Sequence, residues 1–344
     1  MEPKRGPSAS FFGTVQPRAQ RRRLVVAALL VAAAVIASLG YARLGGPATQ
    51  GLPADAPPHG VQVFYLRDRA DPHRLEAYDW KGDRRGSVKL PNWVPVSRLR
   101  PSPEGSGFML DPSTPGDYAA YFDWAGRTLF ETNDLAFVSQ AWADDGVHVC
   151  LLADTGSGAL IGTRTPGQPD RMVQTQLTSD YAVAACSLRT DTFILSASNR
   201  LAILGLSNGA VIRGPIESGP VEGPTIGAVV ATADAAYFTL GGNGFDKGSV
   251  WKVSDLARVG SPVASFDASL QPIAFSGDDS LLVVSNGTSL QALEWRSGRV
   301  AWTYDQPADA TGPVVARPDG GDFVVYGSDG AVLVHRDGRA VPIP

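Results

Sequence analysis

LLVVSNGTSLQALEWRSGRVAWTYD, residues 281–305, decides the fold. Apolar and polar residues alternate along it, and Asn-Gly and Ser-Gly interrupt it. Those residues accept the positive φ that a tight hairpin demands. Together with the residues just before it, the stretch reads as four short strands over 272–275, 281–285, 289–295 and 299–304. Gly-Asp-Asp, Asn-Gly-Thr and Arg-Ser-Gly connect them. Four antiparallel strands in roughly 35–45 residues make one blade of a β-propeller.

The pattern recurs. Ser102-Pro103-Glu104-Gly105 is matched by Ala143-Asp144-Asp145-Gly146 and Ser187-Leu188-Arg189-Thr190-Asp191. Thr232-Ala233-Asp234-Ala235, Ser276-Gly277-Asp278-Asp279 and Arg317-Pro318-Asp319-Gly320 follow, at spacings of 41–45 residues. A second marker runs in phase with the first. Tyr78-Asp79-Trp80-Lys81-Gly82 is echoed by Phe122-Asp123-Trp124-Ala125-Gly126, by Leu293-Glu294-Trp295-Arg296-Ser297-Gly298 and by Val334-His335-Arg336-Asp337-Gly338. Two markers in phase predict an all-β propeller of about seven four-stranded blades over 61–344, with six as the alternative. The first blade is the irregular one. Its recognisable strands, 61–66, 74–80 and 86–90, lack an innermost strand, and proline-rich chain stands where that strand belongs. Either that chain supplies an irregular strand, or the ring closes with a partial blade.

Residues 281–304 resemble a blade of the quinoprotein-like propellers, with Ala292, Leu293, Glu294, Ser297, Gly298 and Trp302 on that pattern. The Ser-Pro-x-Gly turns elsewhere are more similar to TolB-like and WD-type propellers. The resemblance implies the fold. These superfamilies host enzymes, scaffolds and sensors alike, so it assigns no activity.

The N-terminus carries an address. Residues 18–43, RAQRRRLVVAALLVAAAVIASLGYAR, join a knot of arginines to about nineteen apolar or small residues. As a helix such a run spans ~30 Å, the hydrocarbon core of a bilayer. The expectation is a basic cytoplasmic tail over 1–23, a transmembrane signal anchor over 24–42 and a Gly/Pro-rich linker over 43–60. Lys and Arg collect on the cytoplasmic side, so the propeller is expected outside the bacterial plasma membrane in a single-pass protein. Cleavage near Gly40 or Ala42 is the competing reading. Residues 1–43 carry a net +6 and the remainder −10. An acidic exported portion argues against nucleic acid as a partner.

Motif by motif, the sequence yields no catalytic residue, cofactor or metal. Gly205-Leu206-Ser207-Asn208-Gly209 fits G-x-S-x-G, but strands flank it, and a nucleophile elbow needs a following helix. His59, His73, His148 and His335 are scattered and lack zinc spacing. Asn286-Gly287-Thr288 matches a glycosylation sequon and equally a hairpin turn. Cys150 and Cys186 fall in neighbouring blades, where an oxidising compartment permits a disulfide and a reducing one leaves two buried thiols.

Antiparallel alternation puts the first and third turns of each blade on one face and the second turn and interblade connection on the other. Turns of the first kind are short and uniform. Connections of the second kind are long in places, and long loops on a rigid scaffold are where binding usually resides. The candidate ligand or partner residues there are Arg67, Arg69, Asp71, Trp93, Asp117, Tyr118, Phe245, Asp246 and Lys247. The expected function is a membrane-tethered, non-catalytic binding or scaffolding module of the cell envelope, with a protein or envelope component as partner. The alternatives are a quinoprotein- or lactonase-type enzyme, which needs a polar ring in the channel, and an envelope sensor.

Overall fold

The computed structural model describes residues 55–94, 99–110, 119–132, 137–165, 170–178, 180–197, 200–217, 229–241, 247–255, 261–305, 313–327 and 330–343. The expected anchor, its tail and most of the linker lie outside them. Among these residues, twenty-six strands form seven antiparallel sheets. Blade 1 holds β1 (Val63–Arg67), β2 (Arg74–Asp79) and β3 (Arg84–Lys89). Blade 2 holds β4 (Leu99–Pro101), β5 (Gly107–Leu110), β6 (Ala119–Asp123) and β7 (Thr128–Thr132). Blade 3 holds β8 (Phe137–Trp142), β9 (Val149–Asp154), β10 (Ala159–Arg164) and β11 (Arg171–Thr175), and blade 4 holds β12 (Ala182–Ser187), β13 (Thr192–Ala197), β14 (Arg200–Gly205) and β15 (Val211–Glu217). Blade 5 holds β16 (Tyr237–Leu240), β17 (Lys247–Lys252) and β18 (Ala264–Asp267). Blade 6 holds β19 (Gln271–Phe275), β20 (Leu282–Ser285), β21 (Ser289–Glu294) and β22 (Arg299–Asp305), and blade 7 holds β23 (Val314–Ala316), β24 (Phe323–Gly327), β25 (Gly330–Val334) and β26 (Ala340–Ile343).

Seven apolar clusters, one between each pair of neighbouring sheets, close the ring. Blades 1 and 2 share Tyr65, Leu75, Phe108 and Phe122, and blades 2 and 3 share Met109, Tyr121, Leu151 and Ala153. Analogous clusters join blades 3 to 4, 4 to 5, 5 to 6 and 6 to 7. The last joins blade 7 back to blade 1 through Val324, Leu333, Ile343, Phe64 and Trp80. Middle strands are therefore buried on both faces. In β9, Val149, Leu151 and Ala153 face blade 2, while Cys150 and Leu152 face blade 4. Two-sided burial explains the unbroken apolar runs such as Val149–Asp154.

The two sequence markers are two turn designs. At the first, the N–H of Ser102, Ala143, Thr232, Ser276 and Arg317 each donates to the carbonyl five residues on, at 2.8–2.9 Å. The fourth residue of the turn takes the left-handed conformation, as Gly105, Gly146, Ala235 and Asp279 do at φ of 52–70°. The second marker is an aspartate that caps the hairpin and also holds an arginine. Asp123 accepts from the amides of Ala125 (3.0 Å) and Arg127 (2.9 Å), and its other oxygen takes Arg127 Nε at 2.6 Å. Asp79 does the same with Lys81, Asp83 and Arg85, and Glu294 pairs with Arg299.

First-marker turns also lock to one another at the blade period. Ser102 Oγ donates to the Gly146 carbonyl (2.5 Å), Ser187 Oγ to Asp144 (2.6 Å), Arg189 to Asp234 (2.8 Å), and the Gly277 amide to the Gly320 carbonyl (3.1 Å). Approach is close enough that a Cβ on Gly146 would stand 2.5 Å from the Glu104 side chain.

Among the described residues, two blades show fewer than four strands. In blade 5 the inner strand is reduced to a bridge between Ala231 and Phe238. In blade 1 no inner strand is present among the described residues. The chain ahead of β1 lies elsewhere: the Asp55 carbonyl accepts from Ser87 in β3, the outermost strand, at 2.7 Å. A Cβ on Gly86 would collide with that carbonyl. Of the two sequence-based options for the first blade, an irregular strand supplied by the linker falls on residues before 55, outside the described ones.

Asp123 is 4 % exposed and serves three donors, whereas exposed Asp337 in the corresponding turn of blade 7 serves one backbone amide at 3.0 Å. Asp123→Ala is expected to cost about 2 kcal/mol in urea unfolding and Asp337→Ala under ~1 kcal/mol. Equal costs would show that the buried ion pair adds nothing to the turn.

Candidate functional site

Two concavities stand out, one on each face. The first, of about 550 Å³, lies on the long-loop face at the seam between the first and last blades. Leu66, Arg67, Asp68, Arg69, Glu76 and Tyr78 line it from blade 1, and Tyr326 with Gly327 and Gly330 from blade 7. β1 ends at Arg67, so the loop carrying Arg69 starts at the rim. Asp68 is occupied: it accepts the Ala70 amide at 2.7 Å and faces Arg74. Glu76 pairs with Arg74 and Arg84. Arg67 and Arg69 are exposed and pair with no carboxylate among the described residues. Burial raises the Tyr78 phenol above its ordinary range, and the neighbouring Glu76 charge adds to this. Burial also raises Tyr326, against a hydrogen bond with the Tyr65 backbone. The groove is thus aromatic-walled, with two available guanidinium groups.

The second concavity, of about 590 Å³, is a basin on the short-turn face. First-marker turns of five successive blades, 3 to 7, converge there with Asp144, Asp145, Arg189, Asp234, Asp279 and Pro318. Arg189 bridges Asp144 (3.9 Å) and Asp234 (2.8 Å). Asp145 is held by His148 Nδ1 at 2.5 Å. Burial opposes its ionisation, but the His148 and Val147 amides and the His148 ring outweigh that and hold its carboxyl below the ordinary range. Asp279 is different. Its carbonyl takes Trp295 Nε1 and Arg296 Nη1, both at 2.9 Å, while carboxylate Oδ1 is buried with no hydrogen-bond partner. Burial, with the Asp234 charge next, pushes its pKa up to about 6.

Of the residues marked from the sequence, Arg67 and Arg69 meet at the seam groove. Asp71 sits in the same loop but turns to the His73 amide (3.0 Å) and Lys89 (3.5 Å). The His73 hydrogen bond, chiefly, holds its carboxyl below the ordinary range. Trp93 is 46 % exposed, its ring 6.1 Å from Phe122 at the blade 1–2 seam. Lys247 opens β17 in blade 5, away from both concavities. Asp117, Tyr118, Phe245 and Asp246 lie outside the described residues. Sequence reasoning missed Tyr78 and Tyr326 at the groove and read the basin carboxylates as turn formers. Their signal was the phase of the repeat, which brings one turn position of every blade toward the axis.

Cys150 in β9 and Cys186 in β12 face each other across the blade 3–4 interface within disulfide reach, with Cα atoms 6.4 Å apart, and both are buried. The Gly205–Gly209 segment is a hairpin turn between β14 and β15, with the Gly209 amide on the Gly205 carbonyl at 2.9 Å. Among the described residues no group of three or more His, Cys, Asp or Glu is placed to hold a metal ion.

No protein-family model and no curated protein matches the sequence. Solved structures do. A functionally unknown protein from Desulfotomaculum acetoxidans superposes with a TM-score of 0.54 at 8 % identity, over 79 % of this chain and 92 % of that one. A β-propeller domain from Myceliophteria thermophila superposes with a TM-score of 0.54 at 14 % identity, over 79 % and 94 %. At such identities the likeness shows the propeller fold and nothing more.

The Asp279 environment has a pH consequence. Its folded pKa of about 6 lies above the unfolded 3.8, so the fold favours the protonated form. That contribution is present below the unfolded value and is lost as pH rises through about 6. Asp279→Asn, which stays uncharged, should therefore melt higher than the wild type at pH 7.5 and alike at pH ~4. A melting difference independent of pH would refute the assignment.

Proposed function

We propose that this chain is a single-pass, membrane-tethered β-propeller of the bacterial cell envelope, working outside the cytoplasm as a non-catalytic binding or scaffolding module. The seam groove carries the reading. It is a preformed cup on a rigid ring, rimmed by two exposed, uncompensated arginines and walled by tyrosines. Tyrosine and arginine are the residues that most often anchor partners.

The path of the chain into the ring supports this face. His59 stacks 4.3 Å from Trp124, which lies in a short turn of blade 2. A Cβ on Gly105, in the neighbouring short turn, would stand 3.4 Å from the Val61 carbonyl. The chain therefore comes into blade 1 along the short-turn face, opposite the groove. The charge split of +6 before residue 44 and −10 after it supports an inside tail and an outside ring. So does a cysteine pair placed within disulfide reach, since such bridges persist in oxidising compartments.

Full-length protein is expected in the carbonate-washed membrane fraction, degraded by protease added to intact spheroplasts, with no free thiol on titration under denaturant without reductant. Recovery in the soluble cytosol with two free thiols per chain would overturn the address.

A further inference from the structure

Among the described residues blade 1 has no inner strand, and its ladder shows which groups turn away from β2. The Asp68 amide donates to the Arg74 carbonyl at 2.9 Å, and the Asp79 amide turns instead to Asp83 in the hairpin with β3. Hydrogen-bonded pairs alternate along an antiparallel ladder. With β1 and β2 in the register Phe64 to Tyr78 and Leu66 to Glu76, the even residues bond to β2. Val63, Tyr65 and Arg67 then turn their N–H and C=O groups to the axial side. Elsewhere that side is occupied by β4, β8, β12, β19, β23 or the Ala231 bridge. Here the Tyr326 hydroxyl meets the Tyr65 backbone. The neighbouring Gln62 Oε1 is buried with no hydrogen-bond partner.

The residues directly ahead of β1 do not fill this edge, because Asp55 lies against β3 on the outer side of the blade. The edge is continuous with the seam groove, since Arg67 and Tyr326 belong to both. The ladder edge of half-buried Val63, buried Tyr65 and exposed Arg67, next to two guanidinium groups that pair with no described carboxylate, matches an extended segment with carboxylates at alternate positions.

Building on the seam groove as the binding face, we propose that blade 1 takes up an extended acidic peptide of a partner protein as its missing inner strand. Main-chain hydrogen bonds to Val63 and Arg67 hold it, and its carboxylates meet Arg67 and Arg69.

The probe is a fluorescein-labelled peptide, Thr-Val-Glu-Val-Glu-Val, titrated by anisotropy against the full-length chain in nanodiscs. Saturable binding is expected, weaker by roughly tenfold or more when both glutamates become glutamines. Methylation of alternate backbone nitrogens should weaken it at least as much, because it removes ladder donors. The surface double variant R67E/R69E should prefer the peptide with lysine in place of glutamate. In hydrogen exchange the Val63 and Arg67 amides should exchange fast in the free protein and slow with peptide bound. The proposal falls if the peptide shows no saturable binding, or if binding ignores backbone methylation. It also falls if Val63 and Arg67 are already protected in the free protein, together with amides of 44–54 or together with dimerisation. An anchored chain that fails to bind sinks this inference alone. A cytosolic chain that binds sinks only the address.

Discussion

The ring depends on burying both faces of every blade. A sheet with two apolar faces needs a neighbour on each side, and a row of such sheets always leaves two faces bare until its ends meet. Here they meet through Phe64, Leu66, Tyr78 and Trp80 against Val324, Leu333 and Ile343. Fully burying a side chain of this size is worth about 1.5–3 kcal/mol. Opening the seam would therefore expose two sheet faces at once, which no single turn or ion pair could offset. Among the described residues, closure is achieved by side-chain packing between blades 7 and 1, with no strand shared between them.

Packing brings the sheets together, and the turns set their spacing. Side chains such as Ser102, Ser187 and Arg189 reach into the corresponding turn of a neighbouring blade, at sequence separations of 43–45 residues. These bonds lie on one face only. That face consequently keeps short turns and close backbone approach, as the contact between Gly146 and Glu104 shows. The opposite face carries no such interlock between its described turns, so its connections are free to vary in length. One cost of the interlocked face falls on Asp279, whose carboxylate is drawn toward other acids around the axis.

Much of this was legible in the sequence, for physical reasons. The blade period shows because the same turn is built repeatedly from the same residue types, with Gly, Ala or Asp where φ is positive. The Asp-Trp-x-Gly marker shows because one aspartate does two tasks, capping a hairpin and holding the arginine after it. Cys150 and Cys186 were placed in adjacent blades by strand counting, but only coordinates could give their Cα separation. The groove was half legible. Arg67 and Arg69 stood out as a long loop, while Tyr326, distant by about 260 residues in sequence, joins them only because the ring closes. The basin carboxylates were visible as turn formers; their convergence is a property of the closed ring, which no local pattern encodes.

The incomplete first blade follows from how the ring is closed. Propellers that interlock their ends by sharing strands tie closure to a complete ladder. Here the cluster at the seam draws on β1, β2, β24 and β25 and asks nothing of an inner strand. An absent inner strand thus costs the blade its own unpaired backbone groups, each worth roughly 1–3 kcal/mol when buried and much less where water reaches it. The axis is where water can reach. Blade 5 makes the same point from the other side: its inner strand shrinks to the Ala231 bridge while its neighbours stay packed through Phe238, Val250 and Phe266. Inner strands are thus the part of this ring on which closure depends least.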